Sequence, residues 1–283
     1  MIYNKEFMNS IKQKIIIKGV NFPEGPFFDF EGNLWFVEIK GGTLAKWDGQ
    51  KLERFEVDGT PCGSLMDRKG KIWFCDSARG EIRIFDPVTK EIKTVCSHTD
   101  KGAHLKKPND ILLDSHGNLL FSDHANGREE PVSTVCVLPY GGSRAKVISS
   151  DKYFTNGLAF MKDGKTLIFS ETYRQQLWKA EWDSVNLLLK NECHFAKAGK
   201  GPWGPDGIAF DEDENLYAAV FNEYRINIYN KSGKLTDYLS CSGSRPTSCA
   251  FDPYGRYGLV VTEAQLGEII SYDVSEKGLL IFN

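Results

Sequence analysis

Apolar positions along this chain fall into short runs broken by turns, and the runs return six times in one phrase. Each phrase is a small Pro/Gly knot, an apolar stretch ending in Asp or its equivalent, a turn carrying Gly or Asn, and an apolar strand. Phe22-Pro-Glu-Gly-Pro-Phe-Phe-Asp29 leads to Gly-Asn-Leu-Trp-Phe36, and Pro61-Cys-Gly-Ser-Leu-Met-Asp67 leads to Gly-Lys-Ile-Trp-Phe74. Pro108-Asn-Asp-Ile-Leu-Leu-Asp114 precedes Gly-Asn-Leu-Leu-Phe121, and Thr155-Asn-Gly-Leu-Ala-Phe160 precedes Gly-Lys-Thr-Leu-Ile-Phe169. The last copies are Pro205-Asp-Gly-Ile-Ala-Phe-Asp211 with Asn215-Leu-Tyr217, and Pro246-Thr-Ser-Cys-Ala-Phe-Asp252 with the strand from Gly255 to Val261. The second residues of the phrases stand between 38 and 50 residues apart. Several short strands per unit at that period predict an all-β, six-bladed β-propeller.

Within a unit, strand follows turn follows strand. Leu34–Val37, Thr43–Trp47 and Leu52–Val57 are separated by Gly41-Gly42 and Asp48-Gly49, which are hairpin signals. Blade two repeats the arrangement with Ile82–Phe85 and Ile92–Val95, and blade three carries a longer excursion from Asn126 to Pro131, expected over a channel mouth. Lys14–Lys18 and Gly278–Phe282 are further β-rich segments at the two ends. The N-terminal one is expected to close the ring as an outer strand of blade six.

The six units use nearly all 283 residues, so a single domain spanning 1–283 is expected. A net charge of -3 with scattered Lys and Arg leaves no basic footprint for nucleic acid, and no apolar run is long enough for a membrane span. Residues 1–20 lack a secretory pattern, and seven Cys without a C-x-x-C pair fit neither a disulfide framework nor a structural zinc site. The expectation is a cytoplasmic, monomeric protein with mostly buried, unreactive thiols.

In a propeller the first strand of each blade lines the central channel, so the six second residues should form a ring at one mouth. They are Glu24, Cys62, Asn109, Asn156, Asp206 and Thr247, four of them oxygen donors. In phrase and ring together the chain resembles, over essentially its whole length, the senescence marker protein, gluconolactonase and luciferin-regenerating-enzyme family. The resemblance implies a divalent metal in the central channel held by Glu24, Asn156 and Asp206, with Asn109 contacting metal or substrate.

The residue chemistry agrees with that implication. Two carboxylates and two amide oxygens suit one hard dication, Ca²⁺, Mg²⁺ or Mn²⁺; the ion expected is Ca²⁺, with Zn²⁺ or Fe²⁺ also permitted by the resemblance. Burying the two carboxylates together without a cation would push one pKa strongly upward. A metal with open positions polarises a carbonyl and acidifies water, as ester-ring opening requires, so the reaction implied is hydrolysis of a sugar lactone to the aldonic acid, with Asp206 activating water and Glu24 holding metal. Asp123, His124 and Lys107 are candidates for substrate contact at the same mouth; Lys107 lies where some family members carry an Arg and lacks that residue's planar fork. The small Cys62 and Thr247 leave room for a monosaccharide, and no Cys-His pairing marks Cys62 as a nucleophile. A calcium-dependent phosphotriesterase or arylesterase, and a non-catalytic scaffold, are the alternatives.

Overall fold

The computed structural model describes residues 11–279. Six antiparallel sheets stand around an axis, five with four strands and one with five among the described residues. The innermost strands are Pro23–Phe28, Pro61–Met66, Pro108–Leu113, Thr155–Phe160, Pro205–Phe210 and Pro246–Phe251. Every expected ring residue is therefore the second residue of an innermost strand. The second strands, such as Leu34–Glu38 and Leu216–Val220, are buried at every position and form the bulk of each blade. Apolar clusters fill the spaces between neighbouring blades, for example Phe74, Phe85 and Ile72 against Trp35 and Val37.

Gln13–Lys18 pairs antiparallel with Glu268–Tyr272 and is the outer strand of blade six, so chain segments from both ends share one blade. Gly278 instead bridges to Asp211, and the Leu279 amide donates to the Phe210 carbonyl at 2.9 Å; the rest of the expected C-terminal strand lies outside the described residues. Blade three gains a short extra strand, His98–Thr99, parallel to Arg144–Lys152. The repeat does not announce it.

All six innermost strands pair regularly with the second strand except near the ring residue, where the register shifts. Such a bulge bends the strand and re-aims side chains, and it leaves ladder carbonyls unpaired. Neighbouring blades satisfy several of these: Ser64 Oγ donates to the Gly25 carbonyl at 2.8 Å, Ser170 Oγ to the Asp206 carbonyl at 2.8 Å, and Thr247 Oγ1 to the Pro23 carbonyl at 2.7 Å. Thr247 thus ties blade six to blade one. At Gly25, with φ +54°, a Cβ would lie 2.8 Å from the Ser64 nitrogen, so glycine is what lets adjacent strands approach this closely.

Candidate active site in the central channel

One mouth of the channel opens into a cavity of about 440 Å³ lined by Glu24, Asn109, Asn156 and Asp206 together with Lys107 and His124. Glu24, Asn109 and Asn156 are buried, and Asp206 is half-buried on the channel side. Asn109 Nδ2 donates to Asn156 Oδ1 at 3.0 Å, and Asn156 Nδ2 donates to Thr172 Oγ1 at 3.3 Å. Thr172 is held in turn by the Pro205 carbonyl at 2.7 Å. The two amides are thereby fixed in orientation by a chain running from blade three to blade five.

The two ring carboxylates have no cationic partner among the described residues. Burial raises the Glu24 pKa well above the ordinary carboxylate range, and the charges of Asp206 and then Asp110 raise it further. Asp206 is raised likewise, by burial and then by Asp110, with a hydrogen bond from Asn156 opposing. Two like charges in a low-dielectric pocket destabilise one another, and a dication between them would reverse that. Among the described residues no three His, Cys, Asp or Glu side chains form a metal-binding group, so a cation here needs the amide oxygens of Asn109 and Asn156. This all-oxygen set fits a hard dication.

Asp110 escapes a reading confined to the second residues of the phrases. It occupies the third position, where blades one, two, four and five carry Gly25, Gly63, Gly157 and Gly207. Its half-buried carboxylate accepts the Leu158 amide at 2.8 Å, and burial, opposed by the Leu158 and Ile111 amides, raises its pKa to about 6. A carboxylate in a column of glycines was the available signal.

Asp123, a candidate for substrate contact, is engaged with backbone. Its two oxygens accept the backbone amides of Lys106 and Lys107 at 2.8 and 2.7 Å, and it does not line the cavity. The same bond recurs around the ring from the end of the second strand: Glu38 to the Asn21 amide, Asp76 to Thr60, Glu171 to Tyr153 and Glu263 to Arg245. Asp123 is one of five blade clasps, and it holds the backbone that presents Lys107 and Asn109.

His124 lies in the cavity wall, stacked on Phe154 with ring centres 4.0 Å apart. Its Nδ1 faces the Asn126 amide at 3.0 Å, so the neutral ring carries its proton on Nε2. Burial, then the charges of Lys107 and Arg128, lower its pKa to about 3. It is a hydrogen-bond donor at neutral pH, not a base. Cys62 lines the cavity, but burial and the nearby Glu24 charge hold its thiol protonated, which removes a thiolate nucleophile.

An aromatic wall stands above this floor. Rings from four blades follow one another: His124, Phe154, Tyr173, Trp203, Phe221 and Phe22, with successive centres 4.0, 5.3, 5.1, 5.2 and 6.5 Å apart. Ring pairs at such spacing contribute about 0.5–1.5 kcal/mol each beyond their area burial. Arg128, from the blade-three excursion, stands over Phe154, Tyr173 and Trp203 at 6.0, 5.6 and 5.5 Å.

A family profile described as "SMP-30/Gluconolactonase/LRE-like region" matches residues 22–265. The chain is 26% identical to a gluconolactonase of Zymomonas mobilis over 278 residues, covering 86% of this chain and 76% of that protein. It is 24% identical to a diisopropyl-fluorophosphatase of Loligo vulgaris over 285 residues, covering 90% of each. Among solved structures, a calcium-binding protein, regucalcin, from Agrobacterium tumefaciens shares the fold with TM-score 0.82, 16% identity and 96% of each chain covered.

Proposed function

Because the chain belongs to the SMP-30/gluconolactonase/LRE-like family, we propose that it is a metal-dependent hydrolase that opens a lactone, a sugar lactone in the first instance. One observation carries the reading: Glu24 and Asp206 meet at the floor of a cavity of about 440 Å³ with fixed amides beside them and no cationic partner among the described residues. The gluconolactonase relative and the calcium-binding regucalcin of the same fold support a lactone and a divalent ion, Ca²⁺ favoured.

Glu24, Asn156 and Asp206 would hold the cation, with Asn109 completing its shell or contacting substrate. When bound, the cation supplies carbonyl polarisation and water acidification. Asp206 takes one proton from the attacking water, whose oxygen joins the carbonyl carbon. The ring C–O bond then breaks, and that proton passes to the released oxygen, giving the hydroxy acid. His124 Nε2–H and Lys107 donate hydrogen bonds to the substrate, and the aromatic wall limits water at the mouth. With the cation offsetting the repulsion between the two acids, Asp206 is ionised at neutral pH and free to accept that proton.

A phosphotriesterase is the second reading, favoured by the aromatic wall and by the diisopropyl-fluorophosphatase relative. The test is a pH-indicator assay on aldonolactones and phosphotriesters after chelation and after return of Ca²⁺, Mn²⁺ or Zn²⁺, beside Asp206→Ala. Metal-restored lactone opening that the variant lacks is expected. Turnover confined to phosphotriesters would replace the first reading with the second, and none with any ion would overturn both.

A further inference from the structure

The cavity has two chemistries, and a small neutral sugar uses only one of them. Its floor is polar and anionic. Its upper wall carries Phe22, Phe154, Trp203 and Phe221, and three cationic side chains, Lys107, Arg128 and Arg245, also line it. None of the three forms a side-chain hydrogen bond or ion pair with another described residue; Arg128 and Arg245 meet only rings, Arg245 standing 5.8 Å over Phe221. Cations on a mouth of this kind draw anions inward and focus their approach.

Backbone detail shows that the wall is built. Phe22 and Phe154 each immediately precede an innermost strand and hold φ of 60° and 63°, a conformation uncommon for bulky side chains and concentrated at functional positions. Phe154 is fastened there: its amide donates to Ser133 Oγ at 2.8 Å, and Ser133 Oγ donates to the His124 carbonyl at 2.6 Å. The same carbonyl accepts the Gly127 amide at 2.7 Å, which anchors the base of the excursion next to Arg128. Beneath that guanidinium, the Tyr173 hydroxyl is buried with no hydrogen-bond partner among the described residues.

We propose that the substrate is a lactone or ester bearing both a flat apolar portion and an oxyanion, the apolar part lying along Phe154, Trp203 and Phe221 and the oxyanion paired with Arg128. The planar fork of Arg128, which stands over three rings of the wall where Arg245 stands over one, matches a carboxylate or a phosphate, and Lys107 and Arg245 add positive field at the same mouth. Arg128 is then the residue that sets specificity. The inference rests on the hydrolase reading for its chemistry, which is the same balanced ring opening by water, but binding tests it apart from turnover.

The experiment follows tryptophan fluorescence of the protein as purified, and again in chelator, during titration with 1-naphthoate, 1-naphthylphosphonate and the uncharged 1-naphthamide. Wild type should bind at least one anion about tenfold or more tightly than the amide, the tighter anion naming the oxyanion. Arg128→Ala should erase that preference, Arg128→Lys should restore part of it, and Trp203→Phe should remove most of the signal. In turnover, a carboxylate-bearing aryl lactone should exceed its methyl ester in kcat/KM, mainly through KM, and Arg128→Ala should shrink the ratio. Equal binding of amide and anions, a preference untouched by Arg128→Ala, or one present only before chelation would overturn the proposal. Loss of turnover with the binding preference intact would instead overturn the hydrolase reading.

Discussion

Two sets of buried or half-buried acids encircle the channel, and they differ in what faces them. Glu38, Asp76, Asp123, Glu171 and Glu263 end second strands and accept backbone amides just ahead of their own innermost strands; Arg54 and Arg83 add charge pairing at Glu38 and Asp76. Glu24 and Asp206 start innermost strands and face each other and Asp110. The first set is satisfied within the protein and fastens each blade. The second has no cationic partner among the described residues. A carboxylate's worth as a functional candidate thus follows from its unmet charge rather than from burial or proximity to a mouth.

Removing one member of each set should separate them most sharply. Asp206→Asn is expected to lower lactone turnover by about 10²–10⁴-fold, the usual loss of a proton-transfer group, while the metal-free protein at neutral pH becomes more stable because a repelled buried charge is gone. The sign follows from the raised pKa: in the folded state ionisation is disfavoured, so stability present at low pH is lost as pH rises, and Asn does not incur that loss. A fall in melting temperature with activity retained would put Asp206 in the clasp set.

Asp123→Ala should do the reverse, destabilising by about 2–4 kcal/mol because two amides lose their acceptor, and reducing activity only as far as Lys107 and Asn109 are displaced. Urea unfolding of the variant beside Asp206→Asn reads both numbers, and an unchanged midpoint would remove Asp123 from the clasps. Added Ca²⁺ is the next step down in size. At 100 times its dissociation constant it should stabilise wild type by about 2.7 kcal/mol, Glu24→Gln should lose most of that increment, and Asp123→Ala should keep it. Calorimetric melts with and without chelator check it; equal increments in all three proteins would place the ion elsewhere.

What the sequence made legible follows the same division. The ring was readable because the repeat puts one column of residues on the channel: a strand's second position keeps its place in every blade, so Glu24, Asn109, Asn156 and Asp206 converge although they stand 85, 47 and 50 residues apart in turn. Asp123 reads as a candidate for substrate contact only when it is taken alone. Its column also contains Glu38, Asp76, Glu171 and Glu263, and an acid repeated in blades with and without a ring carboxylate points to the fold. Asp110 carried the opposite signal, an acid where four blades have glycine. The aromatic wall left no comparable trace, since Phe22 and Phe154 precede innermost strands whereas Tyr173, Trp203 and Phe221 lie in connections at different offsets. Their meeting depends on loop paths that no column records.

His124 offers the smallest effect and tests the boundary between the sets, because it stacks on the wall while Lys107 and Arg128 press on its charge. Folding holds its pKa at about 3, below the usual ~6.5 of an unfolded histidine. On acidification the unfolded chain therefore takes up a proton that the folded one refuses, and stability falls as pH drops below about 6.5. Between pH 7 and 5.5 that linkage amounts to about 1 kcal/mol. His124→Gln should flatten the pH dependence of unfolding over this interval by that amount, measured by urea denaturation of both proteins at matched ionic strength. If instead the two slopes coincide, the imidazole is free to protonate in the folded state, and its role as a fixed Nε2–H donor facing the substrate falls with it.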